Sequence, residues 1–268
     1  MRKIGFVALA VLCLMPLACT GGRQVAIVAH RGYWDCESGG CAHNSIASLK
    51  AAQDLGFWGS EFDVNMTRDG QLLVFHDGSA GGMKFIEHDA AEFAQVRLPN
   101  GEKIPTLDEY LTQFEKDRKC RLVFELKSHA GFDNKEKAVG LSIRKLKEHG
   151  LYNPKRVIFI SFDLDECRLF VQNCPGFTVQ YLGREEERNP DYLDSLGING
   201  IDSNYSKFYA DSTWYTRARN HGMSVNAWTV DKEEDMRRMI ELGVDYITTN
   251  KPELCREVLS AMGVKEWK

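Results

Sequence analysis

Eight short runs rich in β-branched and other apolar residues recur along the chain, at residues 25–30, 59–64, 121–127, 157–161, 177–181, 200–203, 224–228 and 244–248. Between them lie segments such as 44–55, 134–149 and 232–242, whose apolar residues fall at three- and four-residue spacing, as amphipathic helices require. Strands that alternate with helices of this length build a parallel sheet covered by those helices. Eight of them close into a (β/α)8 TIM barrel. The 268 residues, 43% of them hydrophobic, suffice for one such core and give no sign of a second.

One apolar run falls outside the series. Residues 71–76 follow the second strand after only Arg68-Asp69-Gly70, too short for a crossover helix, so they should return antiparallel as a hairpin. With Asp69-Gly70 as a two-residue turn, Thr67 would pair with Leu72 and Asp63 with His76. The stretch 78–105, rich in glycine and charge, reads as an excursion before a helix starting near Thr106, so the whole insertion spans about residues 66–105. Such a loop is either a substrate lid or a solvated insertion.

Reactive groups in this fold collect at the carboxyl ends of strands. The polar residues there form a dense set. Strand one ends in His30-Arg31-Gly32, strand two holds Glu61-Phe62-Asp63, the hairpin returns to His76-Asp77, and strand three carries Glu125-Leu126-Lys127. Period-two spacing puts Glu61 and Asp63 on one face, and Glu125 and Lys127 on one face. Each residue alone has a plainer reading, as a structural ion pair or a core histidine; the combination carries the weight.

Three converging carboxylates repel one another unless a cation neutralises them. An all-oxygen set suits one hard divalent ion, Ca2+ or Mg2+. Such an ion would hold a phosphate oxygen and offset charge developing at phosphorus. Arg31 and Lys127 would add to that, one as a bidentate fork and the other as a point charge. Histidine titrates near neutrality, so His30 and His76 are the candidate acid/base pair.

The ordered set His-Arg-Gly, Glu-x-Asp, His-Asp, Glu-x-Lys resembles the glycerophosphodiester phosphodiesterase family over nearly the whole mature chain. Ser161-Phe162 and Asn226-Ala227-Trp228-Thr229-Val230 extend the match. The resemblance implies a (β/α)8 fold with an insertion after the second strand. It implies metal ligation by Glu61, Asp63 and Glu125, acid/base work by His30 and His76, and phosphate binding by Arg31 and Lys127. Phe162 and Trp228 would pack on the glycerol carbons, their alternative being simple core. The implied reaction releases glycerol 3-phosphate and an alcohol such as choline or ethanolamine. One departure stands out. The family carries Pro-Glu-Asn before its first helix where this chain has Ala42-His43-Asn44, replacing an acid by an imidazole and leaving Asn44 to cap the helix.

At the N-terminus, Arg2 and Lys3 precede an apolar run, residues 4–17, which reads as an export signal too short to span a bilayer. Leu17-Ala18-Cys19 resembles a lipoprotein cleavage point. Residues 1–18 would then be removed, leaving residues 19–268 as a single domain anchored to a membrane by lipid on Cys19, facing the periplasm or the cell exterior. Losing Arg2 and Lys3 takes the formal charge from -4 to -6. Neither that charge nor any motif suggests a nucleic-acid partner, and no obligate protein partner is evident. Of eight cysteines, six remain after Cys13 and Cys19 are set aside, and Cys36–Cys41 and Cys167–Cys174 are candidate local disulfides. Zinc on Cys36, Cys41, His30 and His43 ranks below them. Two other functions compete with the family reaction: a phospholipid-cleaving barrel enzyme of the lysophospholipase D or sphingomyelinase-like kind, and a lipoprotein that binds phosphodiesters without turnover.

Overall fold

The computed structural model describes residues 22–183 and 185–268. The expected signal segment and Cys19 lie outside them. The elements run β1 (Gln24–Ala29), α1 (Ile46–Asp54), β2 (Gly59–Met66), β3 (Leu72–Val74), β4 (Ser79–Ala80), β5 (Met83–Lys84), α2 (Leu107–Phe114), β6 (Arg121–Leu126) and α3 (Phe132–Glu148). They continue with β7 (Val157–Ser161), α4 (Leu164–Asn173), β8 (Thr178–Tyr181), α5 (Pro190–Ser195), β9 (Gly200–Asn204), α6 (Tyr205–Ala210), α7 (Thr213–Asn220), β10 (Ser224–Trp228), α8 (Glu233–Leu242), β11 (Tyr246–Thr249), α9 (Pro252–Ala261) and β12 (Lys265–Glu266).

Eight parallel strands pair in the order β1-β2-β6-β7-β8-β9-β10-β11, and β11 returns to β1, closing the barrel. These are the eight runs read from the sequence. The strands are buried on both faces because helices cover the outside and side chains fill the inside, which is why they read as apolar runs without alternation. The main core lies between the barrel and its helices, joining Ile27, Phe62, Phe124 and Phe159 to Leu49, Leu111 and Phe170. No described helix is long and apolar enough to cross a membrane.

The hairpin forms as expected but in a register shifted by one. Val64 faces Val74 and Met66 faces Leu72. Thr67 N–H donates to Gln71 O, so the connection is the three-residue Arg68-Asp69-Gly70 rather than a two-residue turn. Gly70, at φ +82°, supplies the left-handed residue that closes it. Asp63 therefore sits beside Phe75, whose N–H it accepts, and not opposite His76.

The excursion after β3 has a small core of its own. Phe85, Phe93, Leu98 and Ile104 pack with Ala42 and Leu73. It is neither a bare solvated loop nor a separate domain. A capping box at Thr106 and Glu109 then starts α2.

The local cysteine pairings are not found: all six described cysteines are free thiols. Cys167 and Cys174 stand seven residues apart along α4 and its C-cap, about 10 Å of helical rise and beyond disulfide reach. Cys36 turns its Sγ to Tyr33 O and accepts from Gly39 N–H.

Candidate active site

The carboxyl end of β1 turns sharply into the site. Arg31 and Gly32 have positive φ, +56° and +77°, and a Cβ at position 32 would lie 2.3 Å from Ser48 Oγ. Only glycine fits there. The turn aims the Arg31 backbone N–H at Glu61 Oε2, 2.8 Å away, and the Gly32 N–H at Glu61 O.

Glu61 and Asp63 project inward from β2, and the register places Asp63 directly beside Glu125 of β6. The three carboxylates are buried, and one oxygen from each lies within 4.8 Å of the others. Among the described residues this is the one group of three or more acids, histidines or cysteines arranged to hold an ion, so the Cys36/Cys41/His30/His43 alternative finds no geometry. Burial, reinforced by Asp63 and Glu125, pushes Glu61 well above the usual carboxylate range. Burial and Asp63 push Glu125 up to about 7. Burial also opposes ionisation of Asp63, but Lys127, the Asn44 amide, His76 and Arg31 together hold it low.

Lys127 Nζ reaches Glu125 Oε1 at 2.6 Å and Asp63 Oδ1 at 3.3 Å, while Arg31 Nε lies 3.6 Å from Asp63 Oδ2. Glu61 Oε1 is buried with no hydrogen-bond partner at all. An unpaired, buried carboxylate oxygen inside an oxygen-only cluster is what a hard divalent cation would satisfy, and the residues present fit such an ion.

His30 is mostly buried, and its Nδ1 lies 2.8 Å from Asn250 Oδ1. The Asn250 Nδ2 donates to Asp231 Oδ2, so Oδ1 accepts and His30 Nδ1 carries the proton. Nε2 is then the free nitrogen, 3.9 Å from Glu61 Oε2. Burial and the Arg31 charge lower His30 to about 4, keeping the imidazole neutral. His76 is more exposed and holds Asp77 Oδ1 through its own Nδ1 at 2.7 Å.

His30, Arg31, Glu61, His76 and Glu125 line one cavity together with Phe162 and Trp228. Phe162 is 42% exposed at the rim and meets Trp228 edge to face at 5.8 Å, so it is not core. Lys127 backs the acids instead of lining the cavity. A second hollow shares Arg31 and His76 and continues past His43, Phe75, Leu98 and Pro99, so the excursion after β3 walls the site.

The chain matches the model of the glycerophosphoryl diester phosphodiesterase family over residues 30–254, most of its length. It belongs to that family. Membership makes it an enzyme of the phosphoric diester hydrolase class. A glycerophosphodiester phosphodiesterase of Caldanaerobacter subterraneus is 30% identical over 246 residues, covering 86% of this chain and 96% of that protein. One from Bacillus subtilis is 27% identical over 259 residues, 88% and 86% of the two chains. The crystal structure of a glycerophosphodiester phosphodiesterase from Parabacteroides distasonis superposes with a TM-score of 0.86 at 40% identity, covering 91% of this chain and 100% of that one.

Against the family pattern, His43 packs on Trp34 at 4.0 Å between ring centroids and approaches Arg31 Nη1 at 3.4 Å. Burial, with Arg31 and His76, lowers it from its ordinary value of 6.5, and an imidazole thus stands where the resemblance puts an acid. Asn44 does not cap α1; Ser45 does, accepting from Ser48 N–H. Asn44, at φ +57°, donates instead to Asp63 Oδ2 at 2.8 Å and accepts the Asp63 N–H.

Three site residues escaped the sequence reading. Asn250 and Asp231, which orient His30, stand past the expected ends of the last two strands. Asp202, on β9, is a buried acid on the cavity wall; Asn226 Nδ2 holds its Oδ2 at 3.1 Å and its Oδ1 has no partner. A lone acid in an apolar strand was the available signal.

Proposed function

We propose that the chain hydrolyses glycerophosphodiesters to glycerol 3-phosphate and an alcohol, with Glu61, Asp63 and Glu125 holding one Ca2+ or Mg2+. The observation that carries this reading is the flanking of a buried carboxylate triad, with one orphaned oxygen, by two imidazoles on one cavity. A divalent ion there would polarise a phosphate oxygen and offset charge at phosphorus.

His30 acts as the base: its neutral Nε2 takes the proton of the attacking hydroxyl, either from water, which gives glycerol 3-phosphate directly, or from the substrate's own glycerol, which gives a cyclic phosphate that a water then opens to glycerol 3-phosphate. His76 is the acid, giving a proton to the departing alkoxide oxygen; it borders both hollows and so can reach a group that leaves toward the second one. Arg31 binds phosphate charge from the cavity wall, while Lys127, behind the acids, limits repulsion between Asp63 and Glu125 and adds positive charge to the site from there. Phe162 and Trp228 offer apolar surface to the glycerol carbons, and the unpartnered Asp202 oxygen offers a hydrogen bond to a glycerol hydroxyl.

Residues 1–18 serve as an export signal and Cys19 as the lipidated first residue in the same proposal. Mass spectrometry of the N-terminal peptide tests that part. The activity is tested by glycerol 3-phosphate release from glycerophosphocholine and glycerophosphoethanolamine, with and without EDTA, beside His76→Ala. Release that EDTA stops and the variant lacks is expected; release indifferent to both would sink the mechanism.

A further inference from the structure

The opposite mouth of the barrel carries a different chemistry from the catalytic one. A groove runs past Trp58, Arg121, Lys155 and Arg156 at the amino ends of β2, β6 and β7, and extends to Arg118, Lys119 and Lys268. Six cationic side chains thus line one face of a chain whose formal charge is -4. Only Lys268 among them makes an ion pair with a described residue, Glu266 at 2.9 Å. Asp117, in the same turn, directs Oδ1 to the backbone N–H groups of Lys119 and Cys120.

Aromatic rings sit among these charges. Trp58 lies 5.0 Å from Tyr246 and 5.5 Å from Trp267, and the Arg121 guanidinium stacks over Trp58 at 4.8 Å. Trp267 is exposed, and Trp58 and Tyr246 are buried behind it as its packing base. An exposed indole beside Lys and Arg is what a water–lipid boundary favours, the ring at headgroup depth and the cations on lipid phosphates.

The chain also enters the barrel on this side. Gln24 pairs with Lys265, and Trp267 N–H donates to Val25 O.

We propose that the amino-terminal mouth of the barrel docks on anionic phospholipid headgroups, so that the catalytic mouth faces away from the bilayer and draws its substrate from solution. The docking half stands on the groove alone; the substrate half rests on the phosphodiesterase reading above.

The test uses residues 19–268 with Cys19→Ala, so that no acyl chain contributes, in flotation with vesicles of phosphatidylcholine or of phosphatidylcholine mixed with phosphatidylglycerol. Binding to the anionic vesicles should be at least ~10-fold tighter, and should weaken as salt is raised. The triple reversal Arg118→Glu, Lys119→Glu, Lys155→Glu should remove that preference while leaving the melting temperature and diester turnover unchanged. Brominated lipid should quench tryptophan fluorescence, and Trp267→Phe should reduce the quenching. Equal binding to both vesicle types, a preference that survives the reversal, or displacement by inorganic phosphate at matched ionic strength would overturn the docking proposal. Absence of turnover in the unaltered protein would sink the catalytic reading and leave docking standing, whereas vesicle-bound phospholipid cleaved in preference to soluble diester would overturn the orientation.

Discussion

The His30 imidazole is held by the side-chain oxygen of Asn250, 2.8 Å from its Nδ1 and 220 residues away in sequence. The same oxygen accepts the Trp34 indole N–H, and the Asn250 amide nitrogen is tied to Asp231. Asn250 therefore fixes both the ring plane and the tautomer that leaves Nε2 free. Asn250→Leu should lower kcat by roughly 10–100-fold with little change in KM, because it would misorient the proposed base without touching substrate. An unchanged kcat would show that His30 does not depend on this bond.

The two histidines should separate by leaving group. With an alkyl diester, His30→Ala and His76→Ala should each cost about 10²–10⁴ in kcat. With a p-nitrophenyl ester, whose phenolate departs unprotonated, His76→Ala should recover most of its activity and His30→Ala should not. Equal recovery of both would reverse or dissolve the assignment.

Glu61 is buried beside two other carboxylates with one oxygen unpaired. In EDTA at neutral pH, Glu61→Gln should stabilise the protein by on the order of 1–3 kcal/mol, since it removes a buried acid that folding must neutralise. The same variant should lose the increase in melting temperature that Ca2+ or Mg2+ gives the unaltered protein. Calorimetry with and without metal reads both effects, and destabilisation in EDTA would contradict the picture of uncompensated repulsion.

Asp202 lines the cavity with Oδ1 unpaired, and burial, with Glu125, raises its carboxyl well above the usual range. Ionisation of Asp202 is therefore disfavoured, and its unpaired oxygen is open to a ligand hydroxyl. Asp202→Leu should raise KM for glycerol-bearing diesters by about 10-fold or more and leave bis(p-nitrophenyl) phosphate, which has no hydroxyl, unaffected. Equal losses on both substrates would mark a structural role.

His221, after α7, bridges Asp191 and Asp194 of α5 at 2.7 and 3.0 Å. The hydrogen bond it donates to Asp191, together with the Asp191 and Asp194 charges, raises it above its ordinary 6.5. A raised histidine contributes stability that is complete below its unfolded value and lost as pH climbs through the folded one. His221→Gln should thus lower the melting temperature near pH ~5.5 and leave it unchanged near pH ~9. A deficit that persists at high pH would point to packing instead of charge.

Much of the site was legible because it is written in local periodicity. Glu61/Asp63 and Glu125/Lys127 share faces through the two-residue repeat of a strand, and the chain position of each run places them at carboxyl ends. Eight strand–helix alternations sufficed for the barrel. The same locality explains the errors. A hairpin register depends on whether the turn has two residues or three, so Asp63 was set opposite His76 when it faces Phe75. Asn44 looked like a helix cap because sequence shows its neighbour α1 and not the Asp63 side chain it binds. Close spacing of Cys167 and Cys174 suggested a bridge that two helical turns forbid.

By itself, then, the sequence determined the fold, the family and the inward-facing acids and histidines, all of which follow from backbone periods and short ordered motifs. Only the tertiary structure decided which amide orients His30, which acid floors the cavity, and which cations gather at the far mouth. Those partners come from strands and loops up to 220 residues apart, and they meet only when β11 pairs with β1 and closes the barrel.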